Sequence, residues 1–164
     1  MLTIARISDP TDIADVRDLV LEFTTWAMAL DPGSNPPTFA DLERELAGLP
    51  GVYGPPEGCF LLARDAGRPV GCVAYKAHGP GAVELKRMYV RPDQRGKGTG
   101  QKLVALLIEQ ARAQGAGRIV LDSFHTMHSA HAIYRGLGFV DVAAPAGFPA
   151  DLLDKVVFME MTLD

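Results

Sequence analysis

Apolar residues in this chain recur with two different periods, and the places where the period changes mark out eleven short elements. Residues 2–7 alternate weakly, which predicts a first strand. Asp9-Pro10-Thr11 reads as a helix cap, and Ile13, Val16, Val20, Phe23 and Ala27 then follow at helical spacing. The Pro-rich run over 31–37 predicts a loop, and 39–49 a short second helix closed by Pro50-Gly51. Two β-like runs over 60–64 and 69–76 flank Asp65-Ala66-Gly67-Arg68, a hairpin signal, and Gly79-Pro80-Gly81 turns the chain into a run over 83–90. Leu103, Leu106, Leu107 and Ala111 make one face of a helix over 98–114, which Gly115 ends. A strand over 118–124, a helix over 129–136 and strands over 139–142 and 155–161 complete the order β-α-α-β-β-β-α-β-α-β-β. The sequence has no repeat, low-complexity stretch or linker, so residues 1–164 are expected to form a single domain.

The run over 83–90 slips in phase. Val83 and Leu85 belong to one face of the alternation, whereas Met88 and Val90 belong to the other. One extra residue near Lys86-Arg87 brings both pairs to a single face, which predicts a β-bulge that bends the strand away from its neighbour. The competing reading is a strand end buried on both faces, with Tyr89 inside.

Directly after this strand stands Arg91-Pro92-Asp93-Gln94-Arg95-Gly96-Lys97-Gly98-Thr99-Gly100. A loop with few side chains at a helix N-terminus can turn successive N–H groups toward one point, which suits a phosphate or pyrophosphate. The Walker pattern fails, because it needs glycine where Arg91 stands and a hydroxyl where Gly98 stands. The dinucleotide fingerprint fails too, because its third glycine would fall on Gln101.

The segment Arg95-Gly96-Lys97-Gly98-Thr99-Gly100 does fit Arg/Gln-x-x-Gly-x-Gly/Ala, and it follows Tyr89-Val90-Arg91-Pro92. A later block, Ala130-His131-Ala132-Ile133-Tyr134-Arg135-Gly136-Leu137-Gly138-Phe139, fits Ala-x-x-x-Tyr-x-x-x-Gly-Phe. Together they resemble the GNAT superfamily of N-acetyltransferases, sharply over 83–140 and only in architecture before that. The resemblance implies an α/β (α+β) fold with a mixed, mostly antiparallel central sheet, splayed between strands four and five, and helices on both faces. It implies acetyl-CoA as co-substrate, bound by a core over about 83–140, with an acceptor-side segment over about 8–57.

Composition narrows the partners. The chain has 164 residues, 48% hydrophobic and 22% charged, with no run near the ~20 apolar residues of a membrane span. Its start has no signal-peptide layout, so a cytoplasmic protein without membrane partners is expected. Cys59 and Cys72 are expected to be free buried thiols, and no Cys/His spacing suggests a metal. Net charge is −4, yet residues 86–102 alone carry +5, with six basic side chains against Asp93. So local a patch suits a small polyanion better than a nucleic acid.

Acyl transfer from a thioester to an amine requires stabilisation of the carbonyl oxygen, a neutral amine and a proton for the departing thiolate. The resemblance assigns the first to backbone N–H groups of the bulged strand at Met88 and Val90, which flank Tyr89. It assigns the pyrophosphate to the amides of Arg95, Gly96, Lys97, Gly98, Thr99 and Gly100, with charge from the Arg95 and Lys97 side chains. Tyr134 matches the family's general acid, although Ala130, Ile133, Tyr134 and Leu137 form a helical stripe that faces the core in any case. Glu84 is the first choice of base and His125 the second; Glu84 also reads as a surface carboxylate paired with Lys86 or Arg118. Each histidine (His78, His125, His128 and His131) is expected to face solvent. Where many members carry Asn, seven residues before the tyrosine, this chain has Met127, with His128 or Ser129 as substitutes.

Both cysteines precede the loop motif, which favours direct attack over a covalent intermediate. The acceptor, a small-molecule or peptide amine, is expected to meet the first two helices, their Pro-rich connection and the segment 143–154. Trp26, Phe39 and Tyr53 are candidates for lining its pocket or for the core, and Phe39 is assigned to the core. A homodimer through the final strands is plausible by the same resemblance. The alternative from another class is a non-catalytic acyl-CoA-binding module, which the presence of Tyr134 and Glu84 disfavours.

Overall fold

The computed structural model describes residues 1–30 and 38–164, with the side chains of 38–41 outside that description. The predicted loop over 31–37 and the Phe39 side chain therefore lie outside the described residues. The strands are β1 (Leu2–Arg6), β2 (Cys59–Asp65), β3 (Arg68–Ala77), β4 (Ala82–Val90), β5 (Arg118–Phe124), β6 (Val140–Val142) and β7 (Val156–Thr162). The helices are α1 (Pro10–Leu30), α2 (Thr38–Ala47), α3 (Thr99–Gln114) and α4 (His128–Leu137). Three single 3₁₀ turns, at Gly51–Tyr53, Pro92–Gln94 and Ala150–Leu152, were not foreseen from the pattern. Among the described residues, no helix is long and apolar enough to cross a membrane.

The strands form one sheet in the order β1-β2-β3-β4-β5-β7-β6, antiparallel throughout except for β4 beside β5. Alternation divides the core in two. Leu61, Ala63, Val73, Tyr75, Val83 and Leu85 point to α3 and α4, where Leu103, Leu107 and Ala111 pack on them. Phe60, Leu62, Cys72 and Ala74 point the other way, to Val16, Leu19 and Val20 of α1 and Leu42 and Leu46 of α2. The α1 entry is capped reciprocally: Asp9 Oδ1 accepts the Asp12 amide at 2.8 Å, and Asp12 Oδ2 accepts the Ser8 amide at 2.8 Å.

The predicted bulge lies within β4. Cys72 pairs with Tyr89 and Ala74 with Lys86, so two steps along β3 match three along β4. Arg87 takes up the extra residue at φ +61°, uncommon for a side-chain-bearing residue. Beyond it the faces exchange: Met88 and Val90 join the α3 core, and Tyr89 joins the α1 core. On the other side of β4, pairing with β5 covers only Ala82–Glu84 against Arg118–Val120. β5 continues with β7 as far as Phe124↔Val156, so β4 and β5 part in mid-sheet.

Candidate active site

Where β4 and β5 part, a cavity of about 1100 Å³ opens between the α1/α2 end and α4. Met88, Tyr89 and Val90 line it from β4, Arg95, Gly96, Gly98, Thr99 and Gly100 from the loop, and Tyr134 from α4. The bulge, the glycine loop and the tyrosine, far apart in sequence, thus share one hollow. Glu84, Lys97 and His125 are not part of its wall.

The loop's shape follows from its residues. Pro92 starts a 3₁₀ turn that the Arg95 amide closes on Pro92 O at 3.3 Å. Gly96 and Gly98 then take φ +78° and +82°, where L-residues are strained, and a Cβ on either would enter open space. Among the described residues, no backbone carbonyl accepts from the amides of Gly96 through Gly100. Of these, the Gly98, Thr99 and Gly100 amides are donors that a helix start leaves free, the first intrahelical bond being Lys102 to Gly98. Arg95 itself is engaged elsewhere: its Nε donates to Val90 O at 3.0 Å, and its guanidinium lies over the Trp26 ring at 4.5 Å. It therefore ties the loop to β4 and α1.

Amide direction along β4 can be read from one bond. The Arg91 amide donates to Val70 O of β3 at 2.9 Å. Strand alternation then turns the Val90 amide, and Met88 before it, away from β3 and toward the gap. Arg87 is held from α2: its Nη2 lies 2.7 Å from Glu45 Oε2, while the Tyr53 hydroxyl donates to Glu45 Oε1 at 2.8 Å. Cys72 Sγ reaches the Arg87 carbonyl at 3.2 Å. Glu45→Ala is expected to remove the charged brace, costing about 1.5–3 kcal/mol of stability for hydrogen bonds to a charged group. Thermal denaturation reads that loss, and an unchanged melting temperature would contradict the brace.

Tyr134 is buried, its ring packed on Phe139 at 5.6 Å. Its hydroxyl has no hydrogen-bond partner among the described residues, yet no enclosed side-chain oxygen or nitrogen is left unpaired, so it opens to the cavity. Burial raises its pKa, which keeps the proton on the oxygen at neutral pH.

Beside Glu45, which is tied to Arg87, the carboxylate lining the hollow is that of Asp122 of β5. It is open to the cavity but crowded by protein: withdrawal from water raises its pKa, with Glu84 adding and Lys86, Lys76 and His78 opposing. Sequence reasoning missed it; its signal was the single acid of a mostly apolar strand, on the Val120, Asp122, Phe124 face. Glu84 lies on that same sheet face, 3.9 Å from Lys76 Nζ, 3.8 Å from His78 Nδ1 and 4.0 Å from Lys86 Nζ. The surface-carboxylate reading of Glu84 paired it with Lys86 or Arg118; Arg118 instead meets Glu160 at 3.3 Å.

Other expectations divide. Trp26 lines the cavity with Phe23, whereas Tyr53 is core, edge-on to Phe60 at 5.4 Å. From the segment 143–154, Phe148 reaches the wall, seated on Phe158. Met127, His128 and Ser129 all line the hollow. His131, expected to face solvent, is buried against Ser123 Oγ at 3.0 Å because α4 turns that side onto β5. Cys59 and Cys72 are free and buried, and burial pushes Cys72 up to about 12, leaving no thiolate at neutral pH.

Comparison with known proteins agrees with this geometry. Residues 17–139 match the family model described as acetyltransferase (GNAT) family. An uncharacterized N-acetyltransferase of Schizosaccharomyces pombe is 38% identical over 141 residues, 84% of this chain and 82% of that protein. A Klebsiella pneumoniae protein assigned as an acyl-CoA N-acyltransferase superposes with TM-score 0.75 at 31% identity, over 100% of this chain and 99% of its own. PaiA N-acetyltransferase of Thermoplasma acidophilum, in complex with coenzyme A, shares the fold at TM-score 0.76 and 17% identity, covering 99% of both chains. A split sheet, a bared glycine loop and a cavity-facing tyrosine in one hollow are thus the frame of an acyltransferase, and this chain belongs to the acetyltransferase (GNAT) family.

Proposed function

We propose that this protein transfers the acetyl group of acetyl-CoA directly to an amine. The observation that carries the reading is the convergence, in one cavity, of unspent amides at Gly96–Gly100, β4 amides turned into a gap, and an unpartnered tyrosine hydroxyl. The cradle fits the diphosphate of the co-substrate, since a Cβ at Gly96 or Gly98 would stand in that open space. The coenzyme A complex of the Thermoplasma relative supports the same reading. Bound there, the co-substrate supplies a thioester as the acyl donor.

The amides of Gly96 through Gly100 grip the diphosphate, with Arg95 holding the loop in place from Val90 O and Trp26, and Met88 to Val90 line the path to the reacting end. The Met88 and Val90 amides stabilise the carbonyl oxygen as charge builds on it. Asp122 takes the proton that the amine sheds as its C–N bond forms, and Glu84, behind it, helps keep that carboxyl basic. Tyr134 donates a proton to sulfur as the C–S bond breaks. The buried, protonated cysteines leave no thiol nucleophile, which supports direct attack. The reading is of a cytoplasmic enzyme for a small-molecule or peptide amine, with the final strands as the place for a homodimer contact. Release of coenzyme A thiol across an amine panel tests the activity; no release above hydrolysis with any amine would overturn it.

Asp122 sets the pH dependence. Its carboxyl is raised in the folded state, so kcat/KM should climb with pH through a value above the ordinary aspartate range, about 3.9. The same rise means that its contribution to stability is full below the unfolded value and lost as pH increases through the folded one. Asp122→Asn is therefore expected to abolish the acid limb and most activity while raising the melting temperature at pH 7. A lower melting temperature with an intact acid limb would contradict both roles.

A further inference from the structure

Three charged side chains of the acceptor end are not used up by the protein. The cavity wall there carries Lys76, Lys86 and Asp122. The other charges have partners: Arg87 is bound to Glu45, and Arg95 to Val90 O and Trp26. Among the described residues, the two lysines pair only with Glu84, at 3.9 and 4.0 Å, beyond hydrogen-bond reach. No hydrogen bond is made by either ammonium among the described residues. Both are partly withdrawn from water, with side chains 35% and 29% exposed. An ammonium so placed holds three donors for a ligand acceptor.

Register fixes where these groups stand. Glu84 pairs with Val120 across the parallel contact, and Lys76 pairs with Glu84 from β3. Two residues further on, Lys86 and Asp122 lie at one level on the same sheet face, on opposite walls of the split. Cations therefore occupy the β3/β4 wall and the lone carboxylate the β5 wall. Glu84, behind the wall, offsets part of that positive charge but takes no hydrogen bond from either lysine, so at the wall itself a diamine would meet two ammonium groups and one carboxylate. A ligand bearing one charge of each sign would satisfy all three.

The geometry points to an acceptor that carries a carboxylate beside its amine, the amine directed to Asp122 and the carboxylate held by Lys76 and Lys86. This rests on the transfer reading above and narrows it to amino-carboxylates. The test measures coenzyme A release with matched acceptors: amino acids with amines at increasing distance from the carboxylate, their primary amides, and a diamine of equal length. For at least one pair, the acid should exceed its amide by at least about ten-fold in kcat/KM, the effect of one charged hydrogen bond. In Lys86→Met and Lys76→Met that ratio should fall toward one, mainly through KM for the acid. Lys86→Gln serves if Lys86→Met does not fold. Amides or the diamine matching or exceeding every acid, or an unchanged ratio in both variants, would overturn the inference. No release with any amine counts instead against the transfer reading. Calorimetry of the same acids and amides on the coenzyme A-bound protein then decides: acid-selective binding lost in Lys86→Met supports the inference, and equal or absent binding overturns it.

Discussion

Tyr134→Phe should lower kcat by about 10²–10³-fold, within the range that a positioned general acid contributes. Affinity for acetyl-CoA should stay within about two-fold, because the ring keeps its packing on Phe139. Stability should also hold. The hydroxyl has no partner among the described residues, so its removal leaves none of them unsatisfied. That combination separates a chemical role from the core role that the Ala130, Ile133, Tyr134, Leu137 stripe also fits. Steady-state kinetics with coenzyme A calorimetry reads it: unchanged turnover would remove the proton-donor assignment, and a marked loss of stability would return Tyr134 to the core.

The second large effect is expected at the loop. Gly98 begins α3 at φ +82°, and its Cβ position is open space. Gly98→Val puts a β-branched side chain both into a left-handed backbone and into the cradle. Losing two charge-assisted hydrogen bonds, at about 1.5–3 kcal/mol each, corresponds to at least about a 100-fold rise in Kd for acetyl-CoA. Gly115, at φ +94° and also with nothing near its Cβ position, lies at the opposite end of the same helix. Gly115→Ala should therefore share the backbone strain without weakening binding. Equal affinities in the two variants would place the effect in α3 stability and not in the loop's donors.

How much could be read from sequence depended on how local the cause was. The bulge was legible because Val83 and Leu85, and then Met88 and Val90, must reach one core, and only an inserted residue permits it. The loop was legible because its glycines impose backbone geometry with no help from elsewhere. Tyr134 was ambiguous, since helical spacing brings it to the core side whether or not its oxygen meets a cavity.

The acceptor side was much less legible. Glu84 was the first choice of base on the fourth strand, but the sequence does not give the register at which β4 leaves β5. That register puts Lys86 and Asp122 at the cavity and Glu84 behind it. The Glu45–Arg87 brace joins residues 42 positions apart, so no spacing rule could have found it. Trp26 and Tyr53 looked alike in sequence, and packing divided them: one stacks beneath Arg95 beside the hollow, the other is sealed by Phe60 and Glu45. The insertion of β7 between β5 and β6 likewise arises from long-range pairing.

The central claim, that bared amides at the start of α3 grip a diphosphate, is tested most directly by calorimetric titration of the wild-type protein with coenzyme A and with pantetheine, which lacks that group. The account predicts saturable binding of coenzyme A and at least about 100-fold weaker binding of pantetheine, as the loss of several charge-assisted hydrogen bonds requires. No heat with coenzyme A, or pantetheine bound as tightly, would contradict it.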